Sequence, residues 1–416
     1  MSLAKRKPPI SPLAAFSCIW LGVLLLYSLN ISSLQIYQAS AVAETISLIM
    51  LPFLIFYTLG SVITSTLPRK IRPVQSNIYS DDTKKLKTTV RYSTMVFASI
   101  VLFEVAIEGY IPLLSMLAGR VISQFEFGIS SLHGLCLALG TLNVTLLFYL
   151  RLKTKSKESL LLLAMHIFIF LLLVTRKMVV ISLIQMLFVY LCVGSKRIPR
   201  NPIPILIAAL VGIFIFGWVG DVRTGRSLFL SLANLRFEYP DWLPSGLIWV
   251  YIYCITPILN LTNAFYSTIA FSYDLQFICS VIPSIFRSAF GCSTGALGFE
   301  NEYQISGAFN IATGYISLYE SWGKLGIAIF SAAHGALASH VTLTFREQAK
   351  KVIFYSIFMQ VTVLLIFSNG FFNLNVLAQF FILPIIFHYA KKSRNKLIPD
   401  VLPPQNDAIK FQTPKI

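Results

Sequence analysis

Arginine residues at the edges of apolar segments are the side chains in this sequence best suited to bind a charged substrate. Arg223, Arg226 and Arg236 fall in one polar stretch, 220–246, together with Asp221. The guanidinium group is a planar fork that binds a phosphate through two parallel hydrogen bonds and stays charged when partly desolvated. The stretch therefore predicts a phosphate or diphosphate site. The alternative is a hydrated loop whose internal ion pairs contribute about 0–1 kcal/mol each.

Arg176 indicates the same chemistry from a different part of the chain. It follows Val174 and Thr175 and precedes Lys177 in a short turn between two apolar runs. If both runs cross a membrane, Arg176 lies at or just below the membrane surface; an arginine at the bilayer centre costs about 2.5–3.5 kcal/mol on insertion scales. An ionisable residue in such a position is a functional candidate by default. The alternative is an anchor whose charged end reaches the interface.

A third polar stretch, 286–326, has the composition of a sugar-binding surface. It begins with an arginine and a glycine-rich run and continues with carboxylates, amides and hydroxyls. Its candidate residues are Arg287, Glu300, Glu302, Asn310, Thr313 and Glu320. Such groups at a membrane edge can hold sugar hydroxyls by hydrogen bonds. A flexible interfacial loop is the alternative.

Two glutamates and two histidines near or within apolar segments carry less definite information. Glu104 and Glu108 are one turn apart and share a helix face, which fits either the wall of a polar cavity or a pair of interface residues. His133 is the histidine closest to the expected external side, at the start of a span. His334 lies in an apolar run and is expected to be a buried core residue.

Several kinds of site are missing from the sequence. There is no P-loop, no H-E-x-x-H and no C-x-x-C pair, so neither a nucleotide site nor a metal site is predicted. The first external loop, 31–40, contains no acidic residue, although a metal-dependent lipid-linked sugar transferase would be expected to keep carboxylates there. Cys279 and Cys292 can form a disulfide if they face an oxidising compartment.

The elements that must position these residues are membrane-spanning helices. The chain has 416 residues, of which 56% are hydrophobic and 12% are charged, about half the usual charge of a soluble protein. A soluble fold of this composition would lack the polar groups to cover its surface. This excludes a soluble enzyme, a disordered chain and a nucleic-acid-binding domain. The net charge of +17 then reflects cytoplasmic loops, in which Lys and Arg accumulate.

Apolar runs of about 20 residues can cross the hydrocarbon core of a bilayer. Such runs lie near 13–31, 41–65, 91–110, 128–150, 159–174, 178–193, 205–219, 323–344, 352–369 and 374–389. The segment 247–290 is also apolar, but Pro257 and Pro283 interrupt it, so it is either a helix pair or a partly re-entrant stretch. We therefore expect an all-α, polytopic bundle of ten to twelve spans, a single domain over 1–416 with both termini on one side.

The distribution of charge predicts the orientation of this bundle. With the N-terminus in the cytoplasm, most of the 34 Lys and Arg residues fall in cytoplasmic loops, as the positive-inside rule requires. The exceptions are Arg120, Arg176, Lys177, Arg223, Arg226, Arg236, Arg287 and Lys324. Two long loops, 220–246 and about 286–322, are expected on the external side. The arginines suited to bind an anion are thus expected on the external side, opposite the cytoplasmic Lys and Arg residues that set the topology.

In its hydropathy profile and in short motifs the chain resembles bacterial oligosaccharide repeat-unit polymerases of the Wzy type. The motifs are Val174-Thr175-Arg176, Gly220-Asp221-Val222-Arg223, Tyr-x-Tyr-x-x-x-Pro-x-x-Asn from Tyr251 to Asn260, and the segment from Phe309 to Gly326, with Asn310, Thr313 and Glu320. The spacing of Arg287 and Gly298 is also similar to an Arg-x10-Gly pattern of some members.

The resemblance implies a GT-C-like glycosyltransferase in the bacterial inner membrane that uses no metal, nucleotide or other cofactor. Its substrate would be an oligosaccharide linked to undecaprenyl diphosphate. It would move the growing glycan from that lipid to the non-reducing end of a new repeat unit, during O-antigen, capsule or exopolysaccharide synthesis. The implied partners are this lipid-linked substrate, membrane lipid, and a chain-length regulator and a flippase of the same pathway, with no nucleic acid.

The resemblance and the charge pattern together assign hypothetical roles. The catalytic candidates are Arg176, Arg223, Asp221 and Glu320; the substrate-binding candidates are Arg226, Arg236, Arg287, Tyr251, Asn260, Asn310 and Thr313. The arginines would stabilise charge on the leaving diphosphate. Asp221, Glu300, Glu302 or Glu320 would orient or deprotonate the attacking hydroxyl, and the sequence does not choose among them. A ligase-type glycan transferase and a flippase or other transporter are the rival functions.

Overall fold

The described part of the chain is a bundle of α-helices, as the hydropathy pattern predicts. The computed structural model describes residues 8–66, 81–119, 127–193, 203–267, 271, 273–292, 303–309 and 311–392. The helices are α1 (Pro12–Ser28), α2 (Ala39–Thr66), α3 (Asp81–Glu108), α4 (Pro112–Leu117), α5 (Leu132–Thr154), α6 (Lys157–Leu172), α7 (Arg176–Val193), α8 (Ile203–Thr224), α9 (Arg226–Ala233), α10 (Gly246–Tyr266), α11 (Ser284–Arg287), α12 (Ile316–Thr344), α13 (Ala349–Leu364) and α14 (Leu374–Lys392).

A helix lies at each of the predicted spans, so the all-α, polytopic fold class is confirmed. Among the described residues, seven helices are long and apolar enough to cross a bilayer, namely α2, α3, α5, α7, α10, α12 and α14. Helices α1, α6 and α13 have 17, 16 and 16 residues and reach about 24–26 Å at 1.5 Å per residue. They are close to the lower limit for crossing the hydrocarbon core.

Helices α2 and α12 form the most extensive helix pair of the described bundle and run in the same direction. Glu44 on α2 is level with Lys324 on α12, at 3.3 Å between the carboxylate and the ammonium group. Farther along, Gly335 packs directly on α2, and a Cβ at this position would collide with the carbonyl of Phe53. Glycine at this point permits the close backbone approach that drives helix association in lipid.

The helix directions give the bundle two different ends. One, which we call the loop end, contains the C-termini of α1, α3, α6 and α13 and the N-termini of α2, α5, α7, α12 and α14. At the opposite, basic end lie Lys84, Lys85, Lys87, Arg91, Arg151, Lys153, Lys155, Lys157, Arg346, Lys350, Lys351 and Lys391. The segments that the charge pattern assigned to one side of a membrane thus lie together at one end of the fold.

The buried apolar side chains form two clusters. The larger one joins α1, α2, α10, α12 and α13 and includes Trp20, Phe53 and Tyr315. The second joins α3, α5, α6, α7 and the first turn of α14 and includes Phe97 and Met178. The larger cluster includes residues of α10, and the second includes residues at the starts of α5 and α7, so different apolar clusters lie beneath these two parts of the loop end.

Helix α10 corrects one alternative of the sequence analysis. The apolar segment 247–290 is not a pair of crossing helices, because its described part contains one long helix followed by short turns. Both ends of α10 bond to the loop end: Trp249 Nε1 donates to Asp221 (2.9 Å), and Asn263 accepts from the Tyr37 hydroxyl (2.6 Å). Although α10 is long enough to span, it therefore lies across the loop end, where Phe229 of α9 stacks on Trp249 with ring centroids 3.6 Å apart.

Candidate functional site

Two polar regions occupy the loop end, and the predicted site residues are divided between them. The first, which we call the α10 clasp, consists of Gln35, Asp221, Arg226, Arg236, Tyr251 and Asn260. The second, the α5–α7 corner, consists of Glu104, Glu108, His133, Arg176, Lys177 and Arg287. Helix α7 packs on α5, α6 and α13, whereas α8 and α10 pack on each other. The fold therefore does not gather all the predicted arginines around a single point.

In the clasp, Asn260 and Tyr251 are engaged by the protein itself. Asn260 is fully buried, and its Nδ2 donates to the carbonyls of Phe309 (3.2 Å) and Ile311 (2.8 Å). Its Oδ1 accepts from the backbone N–H of Ile305 (3.0 Å). These three bonds use both amide protons and hold the chain segment 305–311 against α10. The predicted role of Asn260 in substrate binding remains a prediction, and its observed contacts are those of a structural brace.

Tyr251 joins α10 to the connection between α1 and α2. Its hydroxyl donates to Gln35 Oε1 (2.6 Å) and accepts from the backbone N–H of Ile31 (3.2 Å). Gln35 in turn donates to the Tyr27 carbonyl (2.5 Å). Since Tyr251 is almost fully buried, this hydroxyl serves the packing of three segments.

The clasp arginines also bind protein groups. Arg226 donates to the carbonyls of Pro240 (3.0 Å) and Leu243 (2.9 Å), and its guanidinium lies 6.0 Å from the centre of the Tyr239 ring. Burial raises the pKa of Tyr239, so its hydroxyl stays protonated and donates to the Pro244 carbonyl (2.7 Å). Arg226 thereby fixes the shape of the 240–244 turn.

Arg236 ties the same loop to the start of the chain. Its backbone N–H donates to the Ile31 carbonyl (2.9 Å) and its Nε to the Ser32 carbonyl (3.4 Å). The rest of its guanidinium is exposed to solvent. Arg236 thus has free hydrogen-bond capacity, but its position is set by the fold.

Asp221 is held at the junction of α8 and α10. One carboxylate oxygen accepts from Ser245 Oγ (2.5 Å) and the other from Trp249 Nε1 (2.9 Å). The Trp249 ring stacks on Phe229 of α9 with centroids 3.6 Å apart. A carboxylate with both oxygens engaged in this way is better placed to fix the helix junction than to accept a proton.

The remaining candidates lie near the start of α12 or outside the described residues. Thr313 is buried and its hydroxyl accepts from the backbone N–H of Tyr315 (3.3 Å). Glu320 is half-buried one turn into α12, just before a kink at Trp322 and Gly323. The candidates that lie outside the described residues are Asn310, Glu300, Glu302 and the side chain of Arg223.

At the α5–α7 corner, a tight turn presents Arg176. Val174 adopts a left-handed conformation (φ 57°), and the backbone N–H and hydroxyl of Thr175 both donate to the Phe170 carbonyl (3.0 and 3.1 Å). Arg176 is the first residue of α7. Both Arg176 and Lys177 are exposed, and neither side chain has an ion pair or hydrogen bond to any described residue.

This placement is electrostatically unusual for a helix start. The N-terminus of a helix carries a partial positive charge, so cations there are destabilised by roughly 0.3–1 kcal/mol each. The first turn of α7 has two cations and no acidic residue. An anion at this point would be stabilised by the two cationic side chains and by the positive end of the helix dipole together. The arrangement favours binding of a phosphate or diphosphate.

The same corner contains a buried carboxylate–histidine pair that sequence reasoning did not assemble. Glu104 is fully buried, and its Oε2 lies 2.8 Å from His133 Nδ1. Its Oε1 is also buried and has no hydrogen-bond partner among the described residues. Glu108, one turn later, accepts from the backbone N–H of Gly128 (3.2 Å). The shared face of the two glutamates was predictable, but their contact with the start of α5 was not.

Gly128 shapes the turn that covers this pair. It has a φ of +89°, and a Cβ at this position would lie 2.7 Å from His133 Nδ1. The Phe127 ring packs edge-on against the His133 ring, with centroids 5.6 Å apart. His133 is therefore enclosed on the side of Glu104, Phe127 and Gly128, and about 17% of its side chain stays exposed.

A short segment closed by a disulfide contacts the corner just before α5. Cys279 and Cys292 are joined by a disulfide, the pairing that the sequence allowed. Ser284, within the closed segment, bonds Ser131 just before α5 through its backbone N–H (2.6 Å) and hydroxyl (2.9 Å). Arg287 lies one turn after Ser284, and its Nε donates to the Ile282 carbonyl (3.0 Å) within the same segment.

Arg176 and His133 lie on helices that start side by side. Helices α5 and α7 run in the same direction and are linked by hydrogen bonds from Thr145 to Gln185 (2.6 Å) and from Thr141 to Met178 Sδ (3.7 Å). Counting back from these contacts at 1.5 Å per residue puts Arg176 about 5–9 Å deeper in the bundle than His133.

A groove of about 650 Å³ lies away from both regions. It is bounded by α3, α5 and α14 at the basic end, with Lys84, Tyr92, Leu139 and Tyr389 among its walls. None of the predicted site residues borders it. Its position therefore does not bear on the loop-end chemistry.

Comparisons with models of protein families, with curated proteins and with solved structures found no match for this chain.

Proposed function

We propose that the chain is an integral-membrane glycosyltransferase of the Wzy type, which polymerises oligosaccharide repeat units carried on undecaprenyl diphosphate. The growing glycan would move from its polyprenyl diphosphate to the non-reducing end of a new lipid-linked repeat unit. The product would be an O-antigen, a capsule or an exopolysaccharide, and the reaction would require neither a metal ion nor a nucleotide.

The observation that carries this proposal is the position of Arg176. It starts α7 at the loop end, is exposed, and has no partner among the described residues. Two cations at a helix N-terminus are costly without a ligand. A diphosphate attached to a membrane-embedded polyprenyl chain would reach this level of the bundle from the lipid. The residue pattern thus fits a substrate that is both lipid-anchored and doubly negative.

The magnitudes favour this interpretation. A charge pair about 4 Å apart contributes on the order of 4 kcal/mol at an effective dielectric near 20. Even one such pair with Arg176 would offset the cost of about 2.5–3.5 kcal/mol for an arginine at the bilayer centre. During transfer, charge accumulates on the leaving diphosphate as its bond to the anomeric carbon breaks. Arg176, Lys177 and Arg287 would stabilise that charge.

The orientation in this proposal places the loop end in the periplasm and the basic end in the cytoplasm. The basic end carries the charge that the positive-inside rule assigns to the cytoplasm, and both the start of α1 and the end of α14 lie there. The disulfide between Cys279 and Cys292 lies at the loop end, and disulfides persist in oxidising compartments such as the periplasm. The charge distribution and the disulfide are independent arguments for this orientation.

The other residues that the sequence analysis singled out, in the clasp, near the start of α12 and outside the described residues, remain predictions, and the proposal does not depend on them. Asp221 and Glu320 are candidates to orient the acceptor hydroxyl. The candidates for contacts with the glycan or the diphosphate are Arg223, Arg226, Arg236, Tyr251, Asn260, Asn310 and Thr313. A chain-length regulator and a flippase of the same pathway would work with the protein in the membrane.

The proposal is tested by reconstituting the purified full-length protein in liposomes with the polyprenyl-diphosphate-linked repeat unit extracted from the cells that make it. We expect a ladder of glycans that differ by whole repeat units, detected by gel or mass spectrometry, and no effect of a metal chelator. Addition of one glycan to a different acceptor would identify a ligase instead. Movement of the lipid-linked unit across the bilayer without a covalent product would identify a transporter.

A further inference from the structure

The pair of Glu104 and His133 is a titratable group that the proposal above does not use. It is joined across two helices by a 2.8 Å contact. It lies at the loop end, beside the start of α7, and the same apolar cluster supports it and Arg176. Elsewhere in the described residues, His166 and His334 are buried among aromatic rings, and His340 and His388 belong to the half of the bundle nearer the basic end.

We propose that His133 is the general base of the transfer reaction and that Glu104 is the residue that positions it. This inference rests on the proposed function, and it identifies the acid–base group that the sequence left open among several carboxylates. It assigns the proton transfer to the α5–α7 corner, away from Asp221 and Glu320.

The contact with Glu104 is compatible with the tautomer that a base requires. If Glu104 is ionised, its carboxylate can only accept a hydrogen bond, and the proton of His133 then lies on Nδ1. Nε2 then carries a lone pair, and no described residue bonds to it. The exposed part of the side chain gives an incoming hydroxyl access to the ring. A carboxylate that orients a histidine in this way also stabilises the ring after it becomes protonated.

The charges around His133 support a base. From α3 it faces Glu104 and, through Gly128, Glu108. The described turn 127–131 contributes no charged group, and α14 contributes only Leu374 against Gly134. Arg287 is one turn beyond the Ser284 that bonds Ser131. The charged groups with a described contact to the imidazole or to the turn that covers it are therefore Glu104 and Glu108, and both are acidic.

The proton and electron balance of the step is simple. The acceptor hydroxyl oxygen forms a bond to the anomeric carbon of the growing glycan and gives its proton to His133 Nε2. The bond between that carbon and the diphosphate oxygen breaks, and its electron pair leaves with the polyprenyl diphosphate. The imidazolium then returns its proton to water or to the departing diphosphate. No oxidant, reductant or metal is required.

The depths of Arg176 and His133 in the bundle agree with the positions that the diphosphate and the acceptor hydroxyl would need. Arg176 lies about 5–9 Å deeper than His133 along the bundle. A lipid-linked sugar has its diphosphate at the membrane surface and its ring farther out. The diphosphate would therefore lie at the level of Arg176 while the acceptor hydroxyl approaches at the level of His133.

The experiment measures initial rates of polymer formation against pH for the wild-type protein and for H133Q, E104Q, E104A and H340Q in liposomes. We expect H133Q to lose about 10²–10⁴-fold in turnover, the usual contribution of a general base, with little change in KM. The wild-type rate should fall at acid pH, because a protonated ring cannot accept the proton. E104Q should lose less, because its amide oxygen can still accept the hydrogen bond from His133 Nδ1, whereas E104A should lose about as much as H133Q. H340Q alters an exposed histidine of α12 and should behave as wild type.

Rescue separates catalysis from folding. We expect added imidazole to restore part of the rate of H133G, with a thermal unfolding midpoint that is the same with and without imidazole. An active wild-type protein whose rate and acid limb are unchanged in H133Q would overturn this inference and leave the proposed function intact. Loss of turnover in H133Q with E104A as active as wild type, and without rescue of H133G, would also overturn it. A wild-type protein with no ladder would instead reject the proposed function itself.

Discussion

The α10 clasp and the α5–α7 corner lie at the same end of the bundle but use their polar side chains differently. In the clasp, Asn260, Tyr251 and Asp221 direct their hydrogen bonds to other parts of the protein. In the corner, Arg176 has no described partner and Glu104 has a buried oxygen without a hydrogen bond. Buried polar groups are normally satisfied, so the open oxygen of Glu104, together with the exposed cations Arg176 and Lys177, is our reason for preferring the corner. The clasp holds the fold, and we place the reaction at the corner.

The substitution with the largest expected effect is Arg176→Ala. Removing one preorganised group that stabilises developing charge typically costs about 10²–10³-fold in turnover, and here we expect polymer to disappear and only a single repeat unit to reach the acceptor lipid. Because Arg176 is exposed, has no described partner and is a cation at a helix N-terminus, its removal should leave the thermal unfolding midpoint unchanged or slightly higher. Product lengths in cells and the unfolding midpoint of the purified variant check this. Unchanged polymer length would remove Arg176 from the reaction.

In the clasp, Asn260→Ala should act on stability rather than on turnover. It leaves two backbone carbonyls and one backbone N–H without their partner. Buried groups of this kind cost about 1–3 kcal/mol each, so we expect a loss of roughly 3 kcal/mol or more and a lower unfolding midpoint. At a temperature where the variant is folded, its rate per folded molecule should be close to that of wild type. A variant of normal stability that makes no polymer would instead make the clasp a substrate site.

A smaller effect is expected from the double substitution Cys279→Ser, Cys292→Ser. The disulfide closes a short segment with a sequence separation of 13, for which loop-closure entropy gives about 3 kcal/mol at most. The segment carries Arg287 and contacts Ser131, so its loosening should lower polymer yield partially. Product length and unfolding midpoint, compared with those of wild type under reducing conditions, measure it. An identical effect of reductant on the double variant and on wild type would show that the disulfide is not the cause.

The smallest effect is expected from Lys324→Ala. Its ion pair with Glu44 is exposed, with both side chains more than half accessible, and such pairs contribute about 0–1 kcal/mol. This lysine also lies at the loop end, so the substitution is a matched control for Arg176→Ala. Loss of polymer in both variants would mean that positive charge at this end acts in bulk, through the overall field, and that the corner has no special role.

The sequence was sufficient to predict the helices of the bundle. It was not sufficient to predict how the helices pack together to form a site. Apolar runs of spanning length are a local property, and a helix lies at each of them. Helix α10 has the same composition as a spanning helix. Its position across the loop end depends on partners such as Asp221 and Tyr37, which are distant in sequence and have no local signature.

The site shows the same limit. Sequence reasoning found Arg176 because a cation in a short turn between apolar runs is locally unusual. It could not show that Arg226 binds the carbonyls of its own loop, since that depends on the fold of the loop. The pair of Glu104 and His133 is separated by 29 positions; its only local signals were two acidic residues one turn apart and a histidine at the start of the next span.

The most direct test of the central claim is to map where the diphosphate binds. A polyprenyl diphosphate with a photoreactive group beside its second phosphate can be crosslinked to the protein in liposomes, and the modified peptides can be identified by mass spectrometry. We expect labelling around 174–178 and 131–134, with loss of the label in Arg176→Ala and no loss in Asn260→Ala. Labelling confined to 221–245 would contradict it and would return the reaction to the α10 clasp.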